Sequence, residues 1–153
     1  MPENKLDKVN LEIVRLLQQD GRRPFREIGQ ALGLSEATVR SRVSRMLEQG
    51  LLEIKALIST KNLGAGYFTA YIGVRLKSPA LKKTAEEISQ LPGVISAAVV
   101  TGRYDLILTV MLTPELGLMD FFNVMLEKYS DCISANETFM IYESVNLKTP
   151  YPF

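Results

Sequence analysis

Six arginines lie between Gly21 and Leu47, and only two glutamates oppose them, so this segment carries a charge of six minus two, or +4. The whole chain of 153 residues carries only +1. A local excess of arginine on short helices is typical of a surface that binds a polyanion such as DNA. The simpler interpretation is a solvated helical face. Which interpretation holds depends on the secondary-structure elements that carry the arginines.

Other chemistry is limited by what the chain lacks. There is no histidine, and the single cysteine is Cys132. Imidazole general bases, Ser-His or Cys-His nucleophiles, histidine-ligated zinc and thiolate metal clusters are therefore excluded. We predict no catalytic residue, no cofactor and no metal site. No apolar run approaches the ~20 residues that cross a bilayer, and the amino terminus shows no signal segment, so we expect a cytoplasmic protein without a membrane partner.

Three short helices are predicted to carry the arginines. Apolar residues recur at helical spacing from Leu6 to Leu17, and a second helix begins near Pro24 and ends at Gly33. The third opens with Ser35 as its N-cap and ends at Gly50. Only Gly33, Leu34 and Ser35 separate the second helix from the third, and this short turn is typical of a helix-turn-helix.

The third helix is expected to read DNA with the face opposite its buried stripe. That stripe is predicted to contain Val39, Val43, Met46 and Leu47. Base contacts come mainly from the amino-terminal part of a recognition helix, which favours Ala37, Thr38 and Ser41, with Arg45 reaching from the next turn. Phosphate contacts are expected from the flanking arginines. Ser35 and Ser44 complete the predicted DNA-binding set, whose phosphate-contacting members are Arg22, Arg23, Arg40 and Arg42.

A strand is predicted from Leu51 to Ile58, where apolar residues are interspersed with Glu53 and Lys55. It would form a wing or a linker strand, so residues 1–60 are interpreted as a winged helix-turn-helix domain. Residues 61–67 form a predicted linker, and residues 68–153 form a second domain.

The second domain repeats a strand-helix-strand pattern. Strands are predicted at 68–76, 94–100 and 105–112, with a last one near 137–145. One helix opens at Ser78-Pro79 and ends at Leu91-Pro92-Gly93, and the other opens at Thr113-Pro114. The order βαββαβ is that of a ferredoxin-like sheet, which makes the whole chain α+β.

The predicted central strands are apolar or small on both faces, as Val94–Val100 and Leu106–Leu112 illustrate. Two helices can cover one face of a four-stranded sheet, so the other face would expose an apolar patch unless a second chain packs there. We predict a homodimer that pairs sheet to sheet.

The connection between the two central strands has two interpretations. In the structural one, Gly102 adopts positive φ, Tyr104 packs and Asp105 bonds local amides. In the functional one, the loop amides hold a carboxylate and Asp105 pairs with an ammonium group, so both ends of an amino acid are satisfied. The residues of this turn are Thr101, Gly102, Arg103, Tyr104 and Asp105.

From about Leu6 to Lys148, the order of parts and the local motifs resemble the Lrp/AsnC family of prokaryotic transcription regulators. The resemblance implies a sequence-specific DNA-binding regulator whose second domain senses amino acids, and dimers that gather into tetramers or octamers. The residues that carry it are Leu6-Asp7, Ile13, Leu16-Leu17, Glu27-Ile28, Gly33-Leu34-Ser35, Val39, Arg42-Val43, Leu47, Gly50 and Gly102-Arg103-Tyr104-Asp105.

The resemblance also implies an effector site between subunits. It places residues 101–105 there, together with Asn136 and Thr138 as polar positions at the start of the last strand. Two positions depart from the family pattern. Asn10 stands where an acidic residue is more usual, and Arg103 puts a cation in the turn. That cation could attract a carboxylate or fill the pocket itself, and the sequence leaves both open.

Two other functions remain as alternatives. An architectural protein that compacts DNA without sequence preference and without an effector would use the same arginine-rich helices. Some distant relatives of this architecture are decarboxylases of haem precursors, but the resemblance implies histidine-assisted chemistry for those enzymes, and this chain has no histidine.

Overall fold

The computed structural model describes residues 6–77, 80–145 and 147–151. The chain divides into two compact units, Met1–Lys55 and Ala56–Phe153, so the first unit ends slightly before the predicted boundary at residue 60. No described helix is long and apolar enough to span a membrane.

The amino-terminal unit contains the three predicted helices, α1 (Lys8–Gln19), α2 (Phe25–Leu32) and α3 (Glu36–Glu48). Side chains cap the first and third. The Oδ1 atom of Asp7 accepts a hydrogen bond of 2.7 Å from the backbone N–H of Asn10, which satisfies a free donor of the first turn of α1. The Oγ atom of Ser35 accepts one of 3.1 Å from the N–H of Thr38, which confirms the predicted N-cap of α3.

The three helices share one small apolar core. Its buried members come from every helix: Ile13, Leu17, Ile28, Val39, Val43 and Met46. The prediction that Leu47 belongs to the buried stripe is wrong, since its side chain is 42% exposed. Leu47 lies eight residues after Val39, a rotation of ~80° past it at ~100° per residue, and so falls at the edge of the stripe.

The wing strand predicted over residues 51–58 does not form as expected. Gly50 adopts a φ of 65°, and the N–H groups of Leu51 and Leu52 donate to the carbonyl of Met46, which ends α3. Residues 52–57 have no regular secondary structure. Strand β1 (Ile58–Ser59) pairs with β6 (Lys148–Thr149), both in the carboxyl-terminal unit. The helix-turn-helix therefore carries no wing hairpin within the described residues 51–57, because their alternating pattern has no partner strand there.

The carboxyl-terminal unit is the predicted ferredoxin-like sheet. Four antiparallel strands lie in the order β3-β4-β2-β5. Two helices, α4 and α5, connect them in the sequence βαββαβ. The bounds of these elements are β2 (Phe68–Leu76), α4 (Leu81–Ile88), β3 (Val94–Val99), β4 (Leu106–Leu112), α5 (Leu118–Tyr129) and β5 (Ile133–Met140).

Two predicted boundaries in this unit are wrong, and one lies outside the described residues. Helix α5 begins at Leu118 rather than Thr113, since Thr113 and Leu116 form an isolated bridge and the Asp120 carboxylate accepts from the N–H of Gly117. Strand β5 covers 133–140 instead of 137–145, because its register is set by pairing with β2. The predicted start of the first helix at Ser78-Pro79 lies outside the described residues.

The two faces of the sheet differ in cover. Apolar residues on one face pack with α4 and α5 in a buried core. On the other face, which we call the open face, Tyr71 and Phe139 are direct cross-strand neighbours and are 40% and 47% exposed. The core face carries Ala70, Ile72, Val74, Leu106, Leu108 and Val110 from the two central strands.

Candidate nucleic-acid interface and effector site

The turn between α2 and α3 depends on two glycines. Gly33 adopts a left-handed φ of 66°, and the N–H of Leu34 donates to the carbonyl of Gly29 at 2.8 Å, which closes the end of α2. A Cβ atom at Gly29 would lie 2.6 Å from the backbone oxygen of Leu34. Sequence reasoning found Gly33 but missed Gly29, although an isolated glycine inside a helical pattern is a signal of close approach.

The residues predicted to read bases lie on the exposed face of α3. Its residues are small or polar, and the buried stripe of Val39, Val43 and Met46 holds the opposite side of the helix in the core. The guanidinium of Arg45 has no ion-pair partner among the described residues and is exposed. Predicted residues on this exposed surface are Ser35, Ala37, Thr38, Ser41, Ser44 and Arg45.

Two of the predicted phosphate-contacting arginines are held by neighbouring glutamates. The guanidinium of Arg40 lies 2.6 Å from the Glu36 carboxylate and 5.4 Å from the centre of the Phe25 ring. Arg23 lies 4.0 Å from Glu27. The Glu36–Arg40 pair lies on the surface of α3, and Arg23, which precedes α2, is partly exposed, so water and salt weaken both pairs and leave the cations accessible to a stronger anion. Arg22 is exposed as well.

Arg42 has a second role that the sequence did not reveal. Its Nη1 atom donates to Oδ2 of Asp7 at 2.6 Å and to Oδ1 of Asn10 at 3.0 Å, so it connects α3 with the start of α1. The hydrogen bond from Arg42, with a further one from the N–H of Asn10, lowers the pKa of Asp7 below its ordinary value. Asn10, the residue that departs from the family pattern, is thus a hydrogen-bond acceptor for this arginine. The assignment of Arg42 to phosphates stays a prediction.

The turn between β3 and β4 combines the features of its structural interpretation. Gly102 has a φ of 122°, in the region that favours glycine. The Oδ2 atom of Asp105 accepts a hydrogen bond of 2.8 Å from the N–H of Leu76, and the N–H of Asp105 donates to Val74. Asp105 therefore ties the turn to the end of β2.

Tyr104 leaves the turn and lies on the open face. A Cβ atom at Gly73 would come within 2.6 Å of its ring, so the ring rests directly on the glycine backbone. The Arg103 guanidinium lies 5.6 Å from the centre of the same ring. It is also 3.6 Å from Oε2 of Glu137, the residue that pairs with Gly73 across β2 and β5.

The predicted effector residues do not all lie on the same face of the sheet. Asn136 and Thr138 pair with Val74 and Ile72 and therefore lie on the face that carries the helices. Glu137 lies between them and points to the open face with Tyr104. Sequence reasoning missed Glu137 and Gly73. The pairing of β2 with β5 brings these two residues side by side, and no local pattern in the sequence predicts which residues pair.

A separate cavity of about 260 Å³ opens at the other end of β2. Thr69 lines it, and the Thr69 hydroxyl is buried without a hydrogen-bond partner among the described residues. None of the predicted effector residues lines this cavity, whose other polar members include Thr60, Tyr67, Glu143 and Ser144.

Comparisons with known proteins match both units. Residues 6–47 match the model of the AsnC-type helix-turn-helix domain, and residues 69–150 match that of the Lrp/AsnC ligand binding domain. The HTH-type transcriptional regulator Ptr1 of Methanocaldococcus jannaschii is 37% identical over 108 residues, which are 70% of this chain and 72% of that protein.

Solved structures show the same fold. The crystal structure of PH0061 superposes with a TM-score of 0.78 at 24% identity, covering 94% of this chain and 97% of that one. The transcriptional regulator NMB0573 of Neisseria meningitidis, crystallised as a complex with L-Met, gives a TM-score of 0.70 at 22% identity, with 96% of each chain covered.

Proposed function

The chain belongs to the Lrp/AsnC family of transcriptional regulators, and on that basis we propose that it binds specific DNA sites as a homo-oligomer whose assembly and DNA affinity a small amino acid effector modulates. The family is one of DNA-binding regulators and not of enzymes. The dimer, the identity of the effector and its site are the parts that need experiments.

The exposed face of α3 carries the proposal of sequence-specific binding. A helix that follows a short glycine turn, presents small polar residues and keeps Arg45 unpaired has the shape and chemistry to enter a major groove. Arginines on the flanks supply sequence-independent affinity by releasing counterions. A dimer would offer two such helices to a pseudopalindromic site.

The open face of the sheet supports the homodimer. Tyr71 and Phe139 are exposed side by side, and Ile107 lies next to Gly73 on the neighbouring strand. An exposed apolar surface that spans neighbouring strands of a sheet is costly in water, and a second copy that packs on it removes this cost. We propose that such dimers assemble further into tetramers or octamers of the chain.

The turn at Gly102 supports an effector site. Residues 101–103 are exposed, and Asp105 accepts the Leu76 N–H with one carboxylate oxygen only, so the turn offers amides for a carboxylate and a carboxylate oxygen for an ammonium group. The complex of NMB0573 with L-Met is consistent with an amino acid at a site in this fold. By linkage, the effector changes DNA affinity only through its preference between assemblies, typically by ~1–3 kcal/mol.

Selection from random genomic fragments followed by footprinting tests the DNA function. We expect protection of a few discrete sites with a shared half-site, and binding that weakens steeply as salt rises. Uniform protection without preference would contradict the proposal and favour the architectural alternative, a protein that compacts DNA independently of any effector.

A thermal-shift screen of the twenty amino acids, combined with size-exclusion chromatography in their presence, tests the effector. We expect one chemical class to raise the melting temperature and to shift the elution volume. If none of the twenty changes either quantity, the regulator works without an amino acid effector.

A further inference from the structure

Three side chains meet on the open face beside the proposed effector turn. Arg103 and Tyr104 come from the turn, and Glu137 comes from the middle of β5. The Arg103 guanidinium lies 3.6 Å from Oε2 of Glu137 and 5.6 Å from the centre of the Tyr104 ring. Gly73 lies beneath this cluster and pairs with Glu137 across the strands. The Tyr104 ring packs so closely on Gly73 that a Cβ atom there would collide with it.

The cluster holds two polar atoms whose hydrogen bonds are incomplete. The hydroxyl of Tyr104 and Oε2 of Glu137 are both buried, and neither has a hydrogen-bond partner among the described residues. Arg103 comes close, but 3.6 Å is too long for a hydrogen bond, and its side chain is 77% exposed. A buried carboxylate oxygen and a buried phenol without partners cost free energy, which a ligand that satisfies both recovers.

We infer that Glu137 and Tyr104 form the pocket for the effector's side chain, that this side chain is cationic, and that Arg103 lies beside Glu137 at the rim of the pocket when the effector is absent. This inference rests on the proposed effector site at residues 101–105. The ligand class is therefore an amino acid that ends in an ammonium or a guanidinium group. Arg103 competes with the ligand through its ion pair with Glu137, and this ion pair breaks when the ligand binds.

The charges at the cluster favour a cation over an anion. Glu137 carries the negative charge of the cluster, and a positive N–H donor satisfies its buried Oε2 atom and has a further acceptor in the Tyr104 oxygen. An acidic side chain drawn to Arg103 would lie next to the Glu137 carboxylate, where like charges repel. A neutral apolar side chain would leave both buried polar atoms unpartnered.

Isothermal titration calorimetry of the full-length protein with matched ligands tests this assignment. L-Arginine is compared with its neutral isostere L-citrulline, L-lysine with L-norleucine, and L-glutamate serves as the anionic probe. We expect the wild type to bind the better of the two cations about tenfold more tightly than its neutral counterpart, the size of one charge-assisted hydrogen bond.

Two variants test which residues distinguish a cationic ligand from its neutral counterpart. Glu137→Gln should bring the cation and its neutral counterpart to equal affinity, and Arg103→Gln should raise the affinity for the cation severalfold because the internal competitor is gone. The ion pair Lys82–Glu86 on α4 is exposed and similar in length at 3.8 Å. Lys82→Gln and Glu86→Gln are therefore matched controls and should leave both affinities unchanged.

The outcomes separate this inference from the proposed function. Equal binding of cationic and neutral ligands by the wild type, tighter binding of L-glutamate, or a cation preference that persists in Glu137→Gln overturns the cationic pocket, while the effector site stands. If neither the wild type nor Arg103→Gln binds any of the twenty amino acids, the effector function fails and the pocket fails with it.

Discussion

Two turns led by left-handed glycines, at Gly33 and at Gly102, position the two candidate sites, and they differ in how far the chain itself completes them. At the first, the amide of Leu34 and the Ser35 hydroxyl find partners within the same turn. At the second, the Tyr104 hydroxyl nearby is buried without a partner among the described residues. The turn of the helix-turn-helix thus satisfies its own hydrogen bonds within one chain. The carboxyl-terminal unit, by contrast, has polar and apolar groups without partners in the described part of the chain, and a ligand or a second copy can contact them.

The apolar surfaces differ in the same way. The three helices of the first unit bury their shared core against one another. The sheet of the second unit buries one face under α4 and α5 and leaves Tyr71 and Phe139 uncovered on the other. This contrast yields five predictions, beginning with the change that should have the largest effect.

Phe139→Glu should separate the proposed dimer. A carboxylate placed within a sheet-to-sheet interface would lose its hydration, at a cost of about 3 kcal/mol or more, which weakens association over a hundredfold. Sedimentation velocity at micromolar concentration measures the change. Met119→Glu is the control, because Met119 is 70% exposed on α5, away from the open face. Equal sedimentation of wild type and Phe139→Glu would contradict the sheet-to-sheet dimer.

Gly29→Ala should destabilise the amino-terminal unit by about 2 kcal/mol. The added methyl group would lie 2.6 Å from the backbone oxygen of Leu34, and backbone in a closed turn cannot move aside cheaply. Chemical denaturation monitored by circular dichroism gives the free energy of unfolding, and DNA binding should fall with it.

Gly73→Ala provides the contrast in the other unit. Its methyl group would also come within 2.6 Å of a neighbour, but that neighbour is the Tyr104 ring, a side chain on the open face. We expect a smaller loss of stability, with the main effect on ligand binding. A larger loss for Gly73→Ala than for Gly29→Ala would reverse the comparison between the two turns.

Arg45→Ala should relax base preference at one position of the site, at a cost of ~1–3 kcal/mol for the preferred base. Arg42→Ala should weaken all sequences alike and reduce the salt slope by about one, if Arg42 contacts phosphate. Binding to a panel of single-base variants at several salt concentrations separates the two. An unchanged salt slope for Arg42→Ala would leave this arginine with only its link to Asp7 and Asn10.

Acid should produce the smallest effect, through Asp7. Hydrogen bonds from Arg42 and from the N–H of Asn10 lower its pKa in the folded state from the ordinary 3.8. Its contribution to stability is therefore present above pH 3.8 and is lost as the pH falls through the lowered pKa. Asp7→Asn should be less stable than the wild type at neutral pH, and the difference should close in acid. A difference that is the same at pH 7 and at pH 2 would contradict this.

Much of the fold followed from local signals. Ser35 as an N-cap, the glycine at 33 and the βαββαβ order were predicted correctly because caps, left-handed glycines and apolar periodicity act over a few residues. The errors arose where contacts with residues distant in the sequence determine the secondary structure. Residues 52–57 carry a strand-like pattern without a strand to pair with, and β5 starts earlier than predicted because pairing with β2 sets its register.

The candidate sites divide along the same line. The amino-acid sequence alone determined that Arg45 and its small polar neighbours lie on one face of a helix, since helical geometry converts spacing directly into direction. Only the tertiary structure decided that Arg42 binds Asp7, and that Glu137 rather than Asn136 or Thr138 meets Arg103. Those contacts join residues more than thirty positions apart, and their geometry depends on packing and strand register, which no local pattern encodes.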